Sequence, residues 1–410
     1  MKQLFYLTYK SILNRKIAFI LSVISIAISV VLLLGVNKIV KSSKEHFINT
    51  IHETDVIVAA SNGSIDILLN LIFHISDPLA EMDYTTYEDI SIMEEVSWAV
   101  PISLGDSFKS FDVVSTNAEY FKHYKYSSGK HLEFLKGSGF NGFYDVVLGA
   151  NVAKKLAMKV SDTLHLSHGK HKHTHKNREF KVVGILKKSM TPNDDSVFMQ
   201  LKADEAIHIE WKSGHFIDMH ISSESLSHMN VKPKHISGAL IGLKERSSIL
   251  SFVDKINNNG KNLKAVIPAK ALTKLYKLVK NLQDILMLIS IAVFVAAVFT
   301  MLSTMYSTLN DRRREIAIFR SLGASSKVVF FLFAIESFFI VVGGVLLGIF
   351  VLDVVLLITR LYIPLDFSYG VDLYQFLMLF IMIVVALFAS LLPAVKSYKS
   401  SIQDGLMVKI

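Results

Sequence analysis

"ILMLISIAVFVAAVFTMLSTMYSTLNDRRREIAIFR", Ile285 to Arg320, begins with an uncharged run through Leu309 and then turns abruptly basic. A hydrocarbon core of roughly 30 Å takes about 20 apolar residues as a helix, so the first part is long enough to cross a bilayer. Arg312, Arg313, Arg314 and Arg320, with Lys327 beyond, outnumber Asp311 and Glu315. Short-loop Lys and Arg mark the cytoplasmic side. One stretch therefore sets a membrane fold and an orientation.

The rest of the chain repeats the signal. Ile17 to Val36, Val328 to about Ile358, and Phe376 to Val395 are three more spans in a 410-residue chain that is 51% hydrophobic and only 19% charged. The first follows Lys10, Arg15 and Lys16, but it exceeds the roughly 7–15 apolar residues of a signal peptide and has no small-residue cleavage site after it, so it reads as a retained anchor. The N-terminus is basic, and the tail carries Lys396, Lys399 and Lys409 against Asp404. Both ends are expected in the cytoplasm. The third-to-fourth connection, with Asp366 and Asp372, and the long stretch between spans one and two then fall outside.

The expected fold is an α-helical membrane protein with four transmembrane helices and a large α+β extracytoplasmic domain inserted between helices 1 and 2. The expected divisions are a cytoplasmic N-terminus (1–16), first span and stalk (17–44), outer domain (45–270), stalk and second span (271–309), cytoplasmic segment (310–327), spans three and four (328–395) and cytoplasmic tail (396–410). The chain has no cysteine, so the outer domain must be held by its own core. Its net charge of +9 is partly accounted for by the juxtamembrane clusters, and nucleic acid is not an expected partner.

Apolar residues continue at helical spacing past the first span through Val36, Ile39, Val40, Phe47, Ile48 and Ile51, with Lys38, Lys41 and Lys44 between them. Before the second span, Lys270, Lys274, Lys277 and Lys280 lie opposite Leu272, Tyr276, Val279 and Leu282. Two amphipathic extensions are expected to rise as a stalk; the alternative is that the lysines only snorkel to lipid phosphates. In the outer domain, "DVVLGANVAKKLAMKVSDTLHL" reads as a strand from Asp145, a helix from about Ala150 to Ala157, a turn, and a strand Thr163 to Leu166. Glu179 to Leu186 is a further strand. A helix from about Ile65 is expected to close at Pro78, and residues 187–240 show no clear elements.

Three stretches resemble the FtsX and MacB type of ABC transporter permease, the group that includes LolC and LolE. "RRREIAIFRSLGAS" (Arg312 to Ser325) resembles the family's cytoplasmic segment, "VVLGANVAKKLAMKVSDTLHL" with "FKVVGIL" its outer core domain, and "LLPAVKSYKSSIQDGL" its C-terminal ending, with Ser401 or Ile402 where a second proline is usual. The resemblance implies a plasma (inner) membrane protein that passes ATPase cycling outward by mechanotransmission, releasing or exporting a lipoprotein, lipid or peptide. It implies a coupling helix, carried here by Arg312, Arg313, Arg314, Glu315, Ile316, Phe319, Arg320, Leu322 and Gly323, that docks on a separate ABC ATPase subunit. The residues read the same way: Ile316, Phe319 and Leu322 fall on one side of a short helix that Gly323 would stop, and that apolar side needs a partner. The bland alternative is a basic helix serving topology alone.

No phosphate-binding loop occurs. "GSGFNG" (Gly137 to Gly142) lacks the Lys-Ser/Thr pair, so ATP and its magnesium belong on a partner chain and this chain is not expected to be an enzyme. Four spans are few to enclose a pathway, so a second permease subunit, identical or different, is expected, with membrane lipids around it and a periplasmic partner or lipoprotein as further candidates. Glu336 sits about 12 Å into the third span, near its midplane; a hydrogen bond inside the bundle competes with a role in proton movement. The Gly343-Gly344 pair suggests close packing or a kink.

"HLSHGKHKHTHK" (His165 to Lys176) is dense in imidazole. In an extended strand His171, His173 and His175 share a face, and His168 would complete a four-ligand set of imidazoles, which suit zinc, copper or nickel. Lys170, Lys172, Lys176 and Arg178 oppose a cation there, and no acid lies nearby in sequence, so a solvated loop at a hairpin end is the competing reading. Function therefore has three candidates: a mechanotransmission permease, a zinc-responsive or zinc-exporting permease, and a non-transport signalling scaffold.

Overall fold

A computed structural model of the chain describes residues 6, 8–10, 12–13, 15–60, 63–75, 80–168, 173–174, 179–209, 231–260, 262–321, 325–362 and 370–403. They form two compact units, Met1–Ser43 with Val279–Ile410, and Lys44–Leu278.

Four helices are long and apolar enough to cross a membrane, with candidate spans at Lys16–Glu45, Pro268–Ser307, Phe330–Thr359 and Leu373–Pro393. They belong to α1 (Lys16–Thr50), α2 (Pro268–Ser321), α3 (Ser326–Tyr362) and α4 (Leu373–Gln403). Their packed centre takes Ile26, Val30 and Leu34 from α1, Phe294 and Met301 from α2, Phe333 and Ile340 from α3, and Met382 and Ala386 from α4. Hydroxyls inside the spans return to their own helix: Ser22 Oγ donates to the Ala18 carbonyl at 3.0 Å and Ser290 Oγ to that of Leu286 at 2.8 Å.

Gly344 and Gly348 bring α3 onto α1. A Cβ on Gly344 would stand 2.7 Å from Ile26 Cβ, and one on Gly348 would stand 2.7 Å from Val30 Cβ and 2.9 Å from the Ala27 carbonyl oxygen. This is small-residue packing at four-residue spacing, which lets two backbones approach where lipid offers no hydrophobic drive. Of the glycine pair marked in sequence, Gly343 has only Val23 Cγ2 at 3.9 Å.

Two helix readings change. The segment expected to be cytoplasmic does not begin as a separate short helix, because α2 continues without a break from Pro268 to Ser321. Along α1, Lys38 is buried at 4% exposure while Ile39 is 48% exposed. The Lys38 ammonium donates to the Gly370 carbonyl at 2.6 Å, which draws this position inward against its polarity.

The second unit is built on a twelve-stranded mixed sheet among the described residues. Its main strands in chain order are β1 (Val56–Ala59), β2 (Val96–Phe108), β3 (Phe111–Thr116), β4 (Phe134–Gly137), β5 (Asp145–Leu148), β6 (Phe180–Leu186), β7 (Ser196–Gln200), β8 (Gly238–Leu243) and β9 (Lys264–Val266). They lie in the order β9-β1-β8-β2-β3-β7-β5-β6-β4. β5 runs parallel to β6 and β3 parallel to β7, while the other neighbours on this path are antiparallel. The expected strand–helix–strand unit is present as β5, the helix Ala150–Leu156 and the short strand Thr163–Leu164.

Alternating side chains divide the burial. Ile57, Val100, Val114, Val147, Phe198 and Leu240 form one core with the helix Ser64–Leu71 and with Ile51 and Ala271. The alternate residues form two further cores, one around Val146, Val182 and Val197, the other around Val58, Ile241 and Phe252. The helix Ser64–Leu71 ends well before Pro78, and His74 takes a left-handed backbone (φ 54°) beyond it. Residues 187–240, unreadable in sequence, supply β7, the helix Leu201–Ile209 and the first half of β8.

Gly348→Val should lower the thermal midpoint of the detergent-solubilised chain by several degrees. An added side chain there meets the Ala27 backbone, and overpacking of this kind costs about 1–3 kcal/mol. Gly343→Ala, with ordinary contact distances, should leave the midpoint unchanged in the same melting experiment.

Candidate functional site

The places where function would reside are set by α1 and α2, which each run from the four-helix core into the Lys44–Leu278 unit. On the C-terminal side of α2, Arg312, Arg313, Arg314, Glu315, Ile316, Phe319 and Arg320 lie on the continuous helix, and Leu322 and Gly323 lie outside the described residues.

Glu336 is 9% exposed on α3, on the side that carries Phe333 and Ile340 into the helix core. Beside it, Ser337 Oγ donates to the Phe333 carbonyl at 2.9 Å and lies 3.5 Å from Met305 Sδ on α2. The carboxyl faces protein and not lipid, as the cost of an ionisable group at this depth demands.

The connection before α4 is tied to α1. Lys41 Nζ meets Asp372 Oδ2 at 2.9 Å, and Lys38 reaches Gly370 as above. Asp372 also caps α4: its Oδ1 accepts the Gln375 backbone N–H at 2.9 Å, and Gln375 Oε1 accepts the Asp372 N–H at 3.2 Å. That reciprocal pair is a capping box, legible in "DLYQ" although the sequence reading passed over it. The Gln375 hydrogen bond and then Lys41 hold the Asp372 carboxyl below the usual carboxylate range. The pair is exposed, so its worth is small.

At the other end of α1 the sequence reading missed the residues that matter most. The Tyr124 hydroxyl donates to the Thr50 carbonyl at the helix C-terminus. Tyr124 stacks on Tyr120 at 5.1 Å, and Tyr120 OH donates to Asn193 Oδ1 at 2.8 Å. Burial pushes both phenols up, which keeps them as neutral donors. Asn193 belongs to a buried loop, Ser189 to Ser196, folded around Asp194. That carboxylate accepts from Ser189 N at 2.8 Å, Ser189 Oγ at 2.8 Å and Met190 N at 2.7 Å. Burial still raises Asp194 against these hydrogen bonds. His74 closes the loop, with Nδ1 3.1 Å from Ser196 Oγ, and burial pushes its imidazole down to about 4. Phe47 of α1 meets Phe73 edge-on at 4.9 Å, so the helix end is held by rings as well as by a hydrogen bond.

On α2, Leu272 and Tyr276 of the expected apolar face are half-buried and Leu282 is 62% exposed, while Ala271 is the fully buried contact. Lys44 of α1 lies over the Tyr276 ring at 4.6 Å.

The histidine stretch forms a short antiparallel pair, Ser167–His168 with His173–Thr174, in which His168 is opposite His173. Ser167–His168 also pairs with β2, placing His168 opposite Asp106. His171 and His175 lie outside the described residues. Among the described residues there is no group of three metal-binding side chains.

A family model described as "MacB-like periplasmic core domain" matches residues 19–235, and one described as "FtsX-like permease C-terminal" matches residues 287–402. This chain belongs to the MacB/FtsX-like family of ABC transporter permeases. It is thus a multi-pass membrane protein with a periplasmic-type domain, in a family that transports and that normally works with a cytoplasmic ABC ATPase. Solved structures similar to it include the periplasmic region of MacB from Actinobacillus actinomycetemcomitans, at 11% identity and TM-score 0.34, covering 56% of this chain and 95% of that one. The extracellular domain of the noncanonic ABC-type transporter YknZ from Gram-positive bacteria matches at 11% identity and TM-score 0.31, covering 52% and 98%. No curated protein matches the chain.

His74 gives a pH dependence. Its folded value lies below its unfolded one, so between about pH 6.5 and 4 the unfolded chain binds more protons and stability falls as pH falls. Asp194, raised by burial, acts with the opposite sign. Denaturant unfolding of the full chain at pH 7 and pH 5, compared with His74→Gln, isolates the histidine: the wild type should lose up to about 2 kcal/mol more than the variant over this interval.

Proposed function

We propose that the chain is a permease subunit that carries the work of a separate cytoplasmic ATPase to its outer domain, where a lipoprotein, lipid or peptide is released or exported. The observation behind this reading is the pair of unbroken helices α1 and α2. Each has apolar residues in the four-helix core, and both meet the same core of the outer domain, α1 through half-buried Phe47 and α2 through buried Ala271. A helix whose hydrogen bonds are all internal moves as a rod on the scale of its own length, so a displacement at one end is delivered at the other.

In this reading both termini and the α2–α3 connection are cytoplasmic, and Ile316, Phe319 and Leu322 dock on the ATPase with Arg312, Arg313, Arg314 and Arg320 beside them. Catalysis of ATP hydrolysis belongs to the partner, and a second permease subunit completes the assembly. Proton movement through Glu336 is not part of the reading.

A zinc-responsive role has one register fact in its favour. In the backbone register Asp106 stands opposite His168, which stands opposite His173, and in this reading that acid would offset the charge of a bound cation. Zinc titration of the full chain by calorimetry checks it: Asp106→Asn should weaken binding, and equal heats in both proteins would exclude this row as a site.

For the main reading, Phe319→Ala should weaken ATPase binding by at least about tenfold, as loss of an aromatic anchor does. Co-purification and permease-stimulated ATP turnover measure this. A reporter inserted after Ala324 should be active only as a cytoplasmic fusion; an extracytoplasmic signal would overturn the orientation.

A further inference from the structure

The lysines of α2 do more than border the stalk. Lys270, Lys274 and Lys277, with Lys264 on β9, line a cleft of about 600 Å³ whose other wall is the helix Ile249–Asn257. Lys270, Lys274 and Lys277 lie within one face of α2, at the three- and four-residue spacing that aligns helical side chains. The acidic lining residue is Asp254, leaving three cations uncompensated. Among the described residues, none of the four lysines is in an ion pair.

The same cleft is partly apolar. Leu250, 66% exposed, Val253 and buried Ala271 also line it. Cations alone would suit any small anion. Cations facing an aliphatic wall suit an anion carried on a hydrocarbon chain.

The three lysines stand on the same unbroken helix as the apolar run from Ile285, so the hydrocarbon-borne anion this helix meets is a membrane phospholipid. We propose that the cleft binds an anionic phospholipid. Its phosphate sits among Lys264, Lys270 and Lys274, and its uppermost methylenes lie against Leu250 and Val253. The proposal uses neither the ATPase nor the orientation, so it stands or falls apart from the permease reading.

The test is calorimetric titration of the full chain in a non-ionic detergent with dioctanoyl phosphatidylglycerol, dioctanoyl phosphatidylcholine and inorganic phosphate. The phosphatidylglycerol should bind once per chain, at least about tenfold more tightly than the phosphatidylcholine, and should weaken as salt is raised. Lys264→Gln/Lys270→Gln/Lys274→Gln should cost about tenfold in affinity, with helix content by circular dichroism unchanged. Leu250→Gln should also weaken binding, and Lys280→Gln should not. Inorganic phosphate binding as tightly as phosphatidylglycerol would make this a free-anion site and overturn the proposal. So would equal affinity for the two lipids, or a triple variant that binds as well as the wild type.

Discussion

Inside hydrocarbon no water is available to a peptide group, so a chain that crosses must close its backbone hydrogen bonds within itself. That requirement shapes α1 and α2 more than any side chain does. Once a helix is committed to the membrane, continuing it outward costs little, because each added residue closes one more bond against an existing turn. α1 reaches Thr50, and α2 begins at Pro268, well before the uncharged run that starts at Ile285. Hydrophobic attraction between helices is weak in lipid, so their contact relies on close fit, and Gly344 and Gly348 provide it where α3 meets Ile26 and Val30.

The outer domain obeys the opposite rule. Its backbone bonds are shared among strands far apart in sequence, and its stability is the usual one of apolar burial on both faces of a sheet. One face is covered by a single large core and the other by two. The single core is the one that takes Ile51 and Ala271. Into it the chain also folds the polar loop from Ser189 to Ser196, an expensive choice that is tolerable only because Asp194, Tyr120 and Asn193 are each hydrogen-bonded there.

This contrast explains what could be read from the sequence. The spans were legible because a membrane demands long uniform runs, and β5 with its following helix was legible because period and turn signals agree over "DVVLGANVAKK". β8 was not: "GALIGL" is buried at all six positions and carries two glycines, so it shows neither alternation nor the usual β-branched density. Lys38 and Ile39 traded places because a carbonyl at Gly370, remote in sequence, takes the ammonium. The end of the helix Ser64–Leu71 was misplaced because the helix stops at Leu71 and the backbone turns left-handed at His74, which no proline or glycine marks in the sequence. Of the candidate site, the basic apolar segment of α2 and Glu336 were visible as composition. Tyr124 was invisible, since its role depends on a helix end brought to it by the fold.

That helix end is the point at which the two rules meet. The last carbonyls of α1 have no partner within the helix, and one of them, on Thr50, is taken by Tyr124 from within the same core that holds Ala271 at the start of α2. Among the described residues, neither helix contributes a buried residue to the other two cores. In the proposed reading, a shift of either helix loads first the core that contains Tyr120, Tyr124 and the rings of Phe73 and Phe198, to which β6 and β9 also contribute Leu186 and Val266, and reaches the other two cores through the sheet. A packed sheet transmits such strain and does not absorb it, because its interior has few voids to collapse into. The lysine-lined cleft lies where β9 meets α2, at the edge of that same path.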